Sequence, residues 1–158
     1  MKVLIWGGEA RYCADLPHAV QSLPLELVFC PREQSLESMF PQHADTVFLF
    51  VDAIAPVDGA LMDRMPGLRL IHSEGVAYNA IDLEAARRRS IFVCNNKGCN
   101  AAPTAEMAVM LMLMSLRFGI PGARAVREGW QIRFKEGVMA SGSPELGERT
   151  VGLVGFGD

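Results

Sequence analysis

Residues 68–95 read Leu-Arg-Leu-Ile-His-Ser-Glu-Gly-Val-Ala-Tyr-Asn-Ala-Ile-Asp-Leu-Glu-Ala-Ala-Arg-Arg-Arg-Ser-Ile-Phe-Val-Cys-Asn, and they decide the fold. The run 68–73 has the length and apolar content of a buried strand, and it opens into a loop that carries Gly75. Asp82 stands where a side-chain oxygen caps a helix. Arg87, Arg88 and Arg89 suit the negative end of the dipole of that helix, expected over 82–89. A second strand-like run, 91–95, follows directly. This order of strand, helix and strand is a crossover between parallel neighbours.

Working outward, Lys2–Trp6, Glu26–Cys30 and Thr46–Val51 repeat the pattern of short runs rich in Val, Ile, Leu and Phe. The segments between them are long enough for crossover helices. Five strands alternating with helices predict an α/β fold, a parallel sheet covered on both faces.

Residues 98–103 break this rhythm. A helix is then predicted over 104–117, with Met107, Met110, Met112 and Met114 spread over several faces. A helix apolar almost all round has to be covered on more than one side, and methionine there reads as gap-filler. Beyond Phe118 the sequence turns polar and glycine-rich. A short helix is expected over 123–128 and an extended arm or loop over 130–145. Thr150-Val-Gly-Leu-Val-Gly-Phe-Gly157 then reads as a strand running into a glycine turn. There is no internal repeat and no low-complexity tract.

Composition narrows the function. The 158 residues hold 15 Lys and Arg against 18 Asp and Glu, a formal charge of −3, so no basic excess exists to neutralise phosphate backbones. No apolar run reaches the ~18 residues of a membrane helix, and the N-terminal run is shorter than a signal core. We therefore expect neither nucleic-acid nor membrane partners. Cys13, Cys30, Cys94 and Cys99 form no C-x-x-C pair. Reduced thiols in the cytoplasm, and no metal site, are the expectation.

Two loops can carry chemistry. In open parallel sheets ligands bind beyond the carboxyl ends of the strands, where the loop after residue 73 falls. Gly75 would let the amides of Val76 and Ala77 face a small anion such as a carboxylate, although an ordinary strand-to-helix connection reads the same way. Gly155-Phe156-Gly157 after a strand is the opening of a dinucleotide fingerprint. Its first glycine permits the turn and its second lets the backbone approach a pyrophosphate.

In these motifs the chain resembles the D-isomer-specific 2-hydroxyacid dehydrogenases. Residues 68–95 are similar to the segment joining that family's fourth and fifth strands. Asn100-Ala-Ala-Pro-Thr-Ala-Glu106, the apolar helix to Arg117, and Arg127-Glu-Gly-Trp130 match the elements that follow. Residues 151–157 match its first nucleotide-domain strand, and Ala55-Pro56-Val57 adds a further match. The Pro-Thr-Ala-Glu wording also resembles the phosphite dehydrogenase branch.

The resemblance implies a flavodoxin-like, doubly wound substrate domain over 1–99. An interdomain helix and dimerisation arm over 100–149 would follow, then the first strand of a truncated Rossmann domain over 150–158. It implies hydride transfer between NAD or NADP and a small D-2-hydroxy or 2-oxo acid, in a homodimer. Gly75, Val76, Ala77 and Asn100 fall at substrate positions, and Thr104, Gly155 and Gly157 at cofactor positions. The family's catalytic arginine, glutamate and histidine match nothing here, and His18, His43 and His72 sit elsewhere. His72 reads as a satisfied, partly buried histidine. The expectation is thus an inactive fragment with no cofactor bound; the alternative is a non-catalytic α/β module that binds small anions or a partner. Two departures stand out: Lys97 replaces the usual proline, and Asp52 replaces an arginine of phosphoglycerate-type members, which argues against a phosphorylated substrate.

Overall fold

The computed structural model describes residues 1–7, 20–31, 33–35, 38 and 42–155, which excludes Cys13, His18 and Gly157. Strands β1 (Lys2–Trp6), β2 (Glu26–Cys30), β3 (Thr46–Val51), β4 (Leu70–Ser73) and β5 (Phe92–Asn95) form one sheet in the order β2-β1-β3-β4-β5. Every pairing is parallel. The first three strands keep the bounds read from their apolar runs; β4 starts two residues later than its run, β5 one.

Helices α1 (Gly59–Asp63) and α2 (Leu83–Arg88) begin at aspartates. Asp58 Oδ1 accepts from Leu61 N and Asp82 Oδ1 from Ala85 N, each at 2.8 Å. Each bond satisfies one of the donors that a helix start leaves open. The helices bury Leu61, Met62, Ala85 and Ala86 against Leu4, Leu49, Val51 and Ile71 of the sheet. The alternate positions Phe48, Phe50, Leu70 and His72 are half-buried, and Phe92 is 76% exposed. On that same face Val3 and Ile5, in register with Phe48 and Phe50, are buried, so both faces are covered at β1, and on this second face the covering thins toward β5.

The chain divides into two compact units, Met1–Lys97 and Gly98–Asp158. The second holds α3 (Ala101–Leu116), α4 (Gly119–Arg127), α5 (Gln131–Ser141) and a 3-10 turn, Leu146–Glu148. Helix α3 starts three residues before the expected Thr104, because Pro103 occupies its first turn, where no N–H is required. Helix α4 likewise starts at Gly119, ahead of the expected residue 123, and takes Pro121 into its first turn.

The extended arm expected over 130–145 is a correction: most of it is α5. The glycines that suggested a loop mark helix ends. Gly129 (φ +79°) follows α4 and Gly142 (φ +81°) closes α5, both in the left-handed region. Between them, Gln, Arg, Lys, Glu, Met and Ala are all helix formers. The strand expected from residue 150 is also not formed over 150–155, where no ladder partner satisfies its backbone groups. No single helix among the described residues is long and apolar enough to cross a membrane; α3 and α4 together reach the length but bend by 61° at their break.

Candidate functional site

The parallel sheet sends the loop after β4 out from its carboxyl end, and a set of hydrogen bonds shapes that loop. Ser73, fully buried at the end of β4, donates from Oγ to the carbonyl of Ala77 at 2.6 Å. Asn95 Nδ2 donates to the carbonyl of Val76 at 2.6 Å, and Asn96 N to that of Gly75 at 3.0 Å. Asn96 Nδ2 donates to the carbonyl of Glu74 at 2.8 Å. Four successive carbonyls are thus held by the ends of β4 and β5.

The amides of Gly75, Val76 and Ala77 donate to no acceptor among the described residues. Val76 and Ala77 are exposed. Neighbouring N–H groups with their carbonyls held elsewhere are donors that one small anion can take up. Gly75 is fixed by sterics: a Cβ there would lie 2.7 Å from Cβ of Ala53. The loop's far end is tied by the bridge between Val57 and Ile81, with Val57 N donating to the carbonyl of Ala80 and Asp82 N to that of Val57, both at 2.9 Å. This gives Ala55-Pro56-Val57 its part in the site: it anchors the loop from behind.

Asp52 follows β3 at the same end of the sheet. Its Oδ1 accepts from Ile54 N at 3.1 Å, so the carboxylate shapes its own turn. His72 is half-buried, with Nδ1 3.0 Å from Sγ of Cys94 and its ring centroid 4.9 Å from that of Phe50. Desolvation lowers its pKa, opposed by a hydrogen bond with Asn96. It is the satisfied histidine expected from its position. No group of three potential metal ligands exists among the described residues.

The second unit carries the remaining candidates. Asn100 is the residue before α3, exposed, and makes no side-chain cap; its carbonyl accepts from Thr104 N at 3.0 Å. These two are therefore one helical turn apart. Gly155 has φ +91°, a conformation open to glycine and strained for other residues. Gly157 lies outside the described residues. The residues that sequence reasoning missed are Ser73, Asn95 and Asn96. Their signal was present: polar side chains at the ends of two neighbouring apolar strands, the place where a sheet hands over to its loops.

A sequence profile described as D-isomer specific 2-hydroxyacid dehydrogenase, catalytic domain, matches residues 12–151. A glyoxylate/hydroxypyruvate reductase of Arabidopsis thaliana is 37% identical over 126 residues, covering 78% of this chain and 38% of the relative. A glyoxylate reductase of Korarchaeum cryptofilum is 34% identical over 103 residues, covering 65% and 30%. The chain thus spans less than two fifths of the length of either relative. Among solved structures, the NADPH-dependent glyoxylate/hydroxypyruvate reductase of Sinorhizobium meliloti, in complex with NADP and malonate, superposes with a TM-score of 0.65 at 25% identity. That match covers 84% of this chain and 39% of the neighbour.

Proposed function

The chain belongs to the D-isomer specific 2-hydroxyacid dehydrogenases, and from that premise we propose that its loop 75–77 seats the carboxylate of a small 2-hydroxy or 2-oxo acid. The observation that carries this reading is the set of three successive amides without an acceptor, above carbonyls held by Ser73, Asn95 and Asn96. Each N–H donated to a carboxylate gives a charge-assisted bond, stronger than its neutral counterpart. The names of the two reductases and the malonate held by the Sinorhizobium structure support a small carboxylic acid as ligand. Asp52 at the same sheet end supports an unphosphorylated one, since its carboxylate would repel a phosphate.

In the whole protein the reaction would be hydride transfer between this acid and NAD or NADP. One observation supports such a cofactor: Gly155 has the positive φ that the turn at the first fingerprint glycine calls for. Gly155 and Gly157 would hold the pyrophosphate, Thr104 would flank the nicotinamide end, and Asn100 the substrate. When bound, the nicotinamide supplies the hydride donor or acceptor. The loop's part is to fix the acid so that its reacting carbon is aligned, which replaces a bimolecular encounter by a prepaid one. The 158 residues alone then bind and orient the acid without turning it over. The free thiols Cys30, Cys94 and Cys99 support the reducing cytoplasm as the setting.

A second copy of the chain is the proposed macromolecular partner, through α3. This helix buries no residue, and Ala105, Val109, Met110, Leu113 and Met114 line an apolar groove of about 680 Å³ with Glu106 and Arg117 at its ends. The groove is self-complementary. About the point between Leu111 and Met112, Met110 mirrors Leu113, Val109 mirrors Met114 and Glu106 mirrors Arg117. A two-fold antiparallel pairing would thus join each glutamate to the partner's arginine.

The test of the function is an assay of the whole protein with NADH or NADPH and a panel of 2-oxo acids. We expect the nicotinamide absorbance to fall with glyoxylate or hydroxypyruvate and to stay flat with this chain alone. Oxidation of the cofactor only by phosphorylated acids, or by none, overturns the reading.

A further inference from the structure

Away from the carboxylate loop, at the amino-terminal ends of β4 and β5, lies an open cavity of about 590 Å³. Among the described residues β5 is an edge strand, and the cavity opens beside it on the side of α2. Its apolar floor is Leu83, Ala86 and Val93. Its polar wall is Arg69, Arg87 and Ser90, and no acidic residue lines it.

Each wall residue has donors to spare. Arg69 has no side-chain partner among the described residues. Arg87 gives Nε and Nη2 to Glu84 at 3.3 and 3.1 Å, in an ion pair exposed at both ends, which leaves further N–H donors open. Arg89 spends its guanidinium on Asp63 at 2.6 Å and on the Ala85 carbonyl, and so partly satisfies the negative end of α2.

Ser90 is the independent observation. The residue after the C-cap of α2 closes a Schellman turn, with Ser90 N donating to the Arg87 carbonyl and Ile91 N to that of Ala86. That position takes a left-handed conformation and is ordinarily glycine. Here it is serine at φ +56°, which keeps a hydroxyl in the cavity wall at a cost in backbone strain. The hydroxyl has no partner among the described residues.

A cavity lined by two arginines and a serine as well as by apolar residues matches a ligand with a compact, multiply charged head and an apolar body. We propose that this cavity binds a phosphate monoester carrying an apolar group, as a second site remote from the carboxylate loop. Three acceptor oxygens answer the three donor groups, and the body covers Leu83 and Val93. Arg69, Ser90 and Ile91 lie at the opposite end of the strands from loop 75–77, and none of residues 75–77 lines the cavity, so the two sites can fail or succeed separately.

Phenyl phosphate is the probe, followed through the backbone amides of the isotopically labelled chain, with benzyl alcohol and inorganic phosphate as controls. We expect saturable shifts at Arg87 and at residues 90–93, with none at 75–77, and weaker binding of either control. Arg69→Gln and Arg87→Gln should each lower affinity by roughly tenfold, as lost charge-assisted bonds do. Both side chains are exposed, so the fold should survive; Arg→Lys at either position gives a partial loss if it does not.

Ser90→Gly separates binding from architecture. It relieves the strain, so the melting temperature should rise, while affinity falls by roughly fivefold. A rise in melting temperature with unchanged affinity overturns the proposal. So does equal binding of benzyl alcohol or of inorganic phosphate, or no saturation by ~10 mM probe. In that case the arginines only guard the edge of β5 against pairing.

Discussion

Asn95, the last residue of β5, donates from Nδ2 to the carbonyl of Val76 at 2.6 Å, across nineteen positions of sequence. A side chain of the edge strand thereby holds the loop that leaves the neighbouring strand, and the Val76 amide has no acceptor among the described residues. Replacing Asn95 by alanine leaves that carbonyl without its donor. The expected result is a loss of about 1 kcal/mol in stability, measured by denaturant unfolding. Weaker carboxylate binding should accompany it. Unchanged unfolding and unchanged binding would show that the bond positions nothing.

Gly75 is required for a different reason. A Cβ at this position meets Cβ of Ala53 at 2.7 Å, inside any normal contact. Gly75→Val should displace the loop and cost about 1–3 kcal/mol, in the range of overpacked sites. Gly75→Ala combined with Ala53→Gly should recover most of the stability that Gly75→Ala alone loses. If the double variant is no more stable than the single one, the contact with Ala53 is not what excludes a side chain.

His72 makes stability depend on pH. Burial lowers its pKa below the ordinary value of 6.5, so the unfolded chain takes up a proton more readily than the folded one. Stability is therefore full above that ordinary value and is lost as pH falls through the folded value. Thermal unfolding across this window should show a slope that His72→Gln removes. A slope that persists in the variant assigns it to another group.

The dimer proposal turns on Glu106 and Arg117. An Arg117→Glu variant sets like charges against each other at both ends of the groove. With about 0.7 kcal/mol per exposed pair and two pairs in a two-fold dimer, dissociation should rise roughly tenfold. The exchange Glu106→Arg with Arg117→Glu restores both pairs. Light scattering that finds the exchanged protein no better associated than the single variant rules out this register.

The sheet was legible because buried parallel strands are short and uniformly apolar; β1, β2 and β3 begin and end where their runs do. The helix starts were less so. Pro103 and Pro121 look like breaks in sequence, yet each sits in a first turn that needs no N–H. Helix α5 was misread because Gly129, Gly137 and Gly142 resemble loop markers, although two of them are helix boundaries. In the proposed site, the loop 75–77 was readable as a loop from its place after a strand. Ser73, Asn95 and Asn96 were not, because their role depends on β4 and β5 being neighbours in register, Ser73 beside Asn95. Only the pairing of the strands puts those side chains under the loop.

The proposed carboxylate seat is the set of amides at 75–77. Titrating the labelled chain with glyoxylate and following backbone amide shifts addresses it directly. Binding should be weak, in the range of ~1 mM or above, because the loop supplies hydrogen bonds without an opposing cation. The largest shifts should fall at Gly75, Val76 and Ala77, diminish in Asn95→Ala, and be absent with a neutral aldehyde of similar size. Shifts that leave this loop untouched while moving residues elsewhere would contradict it.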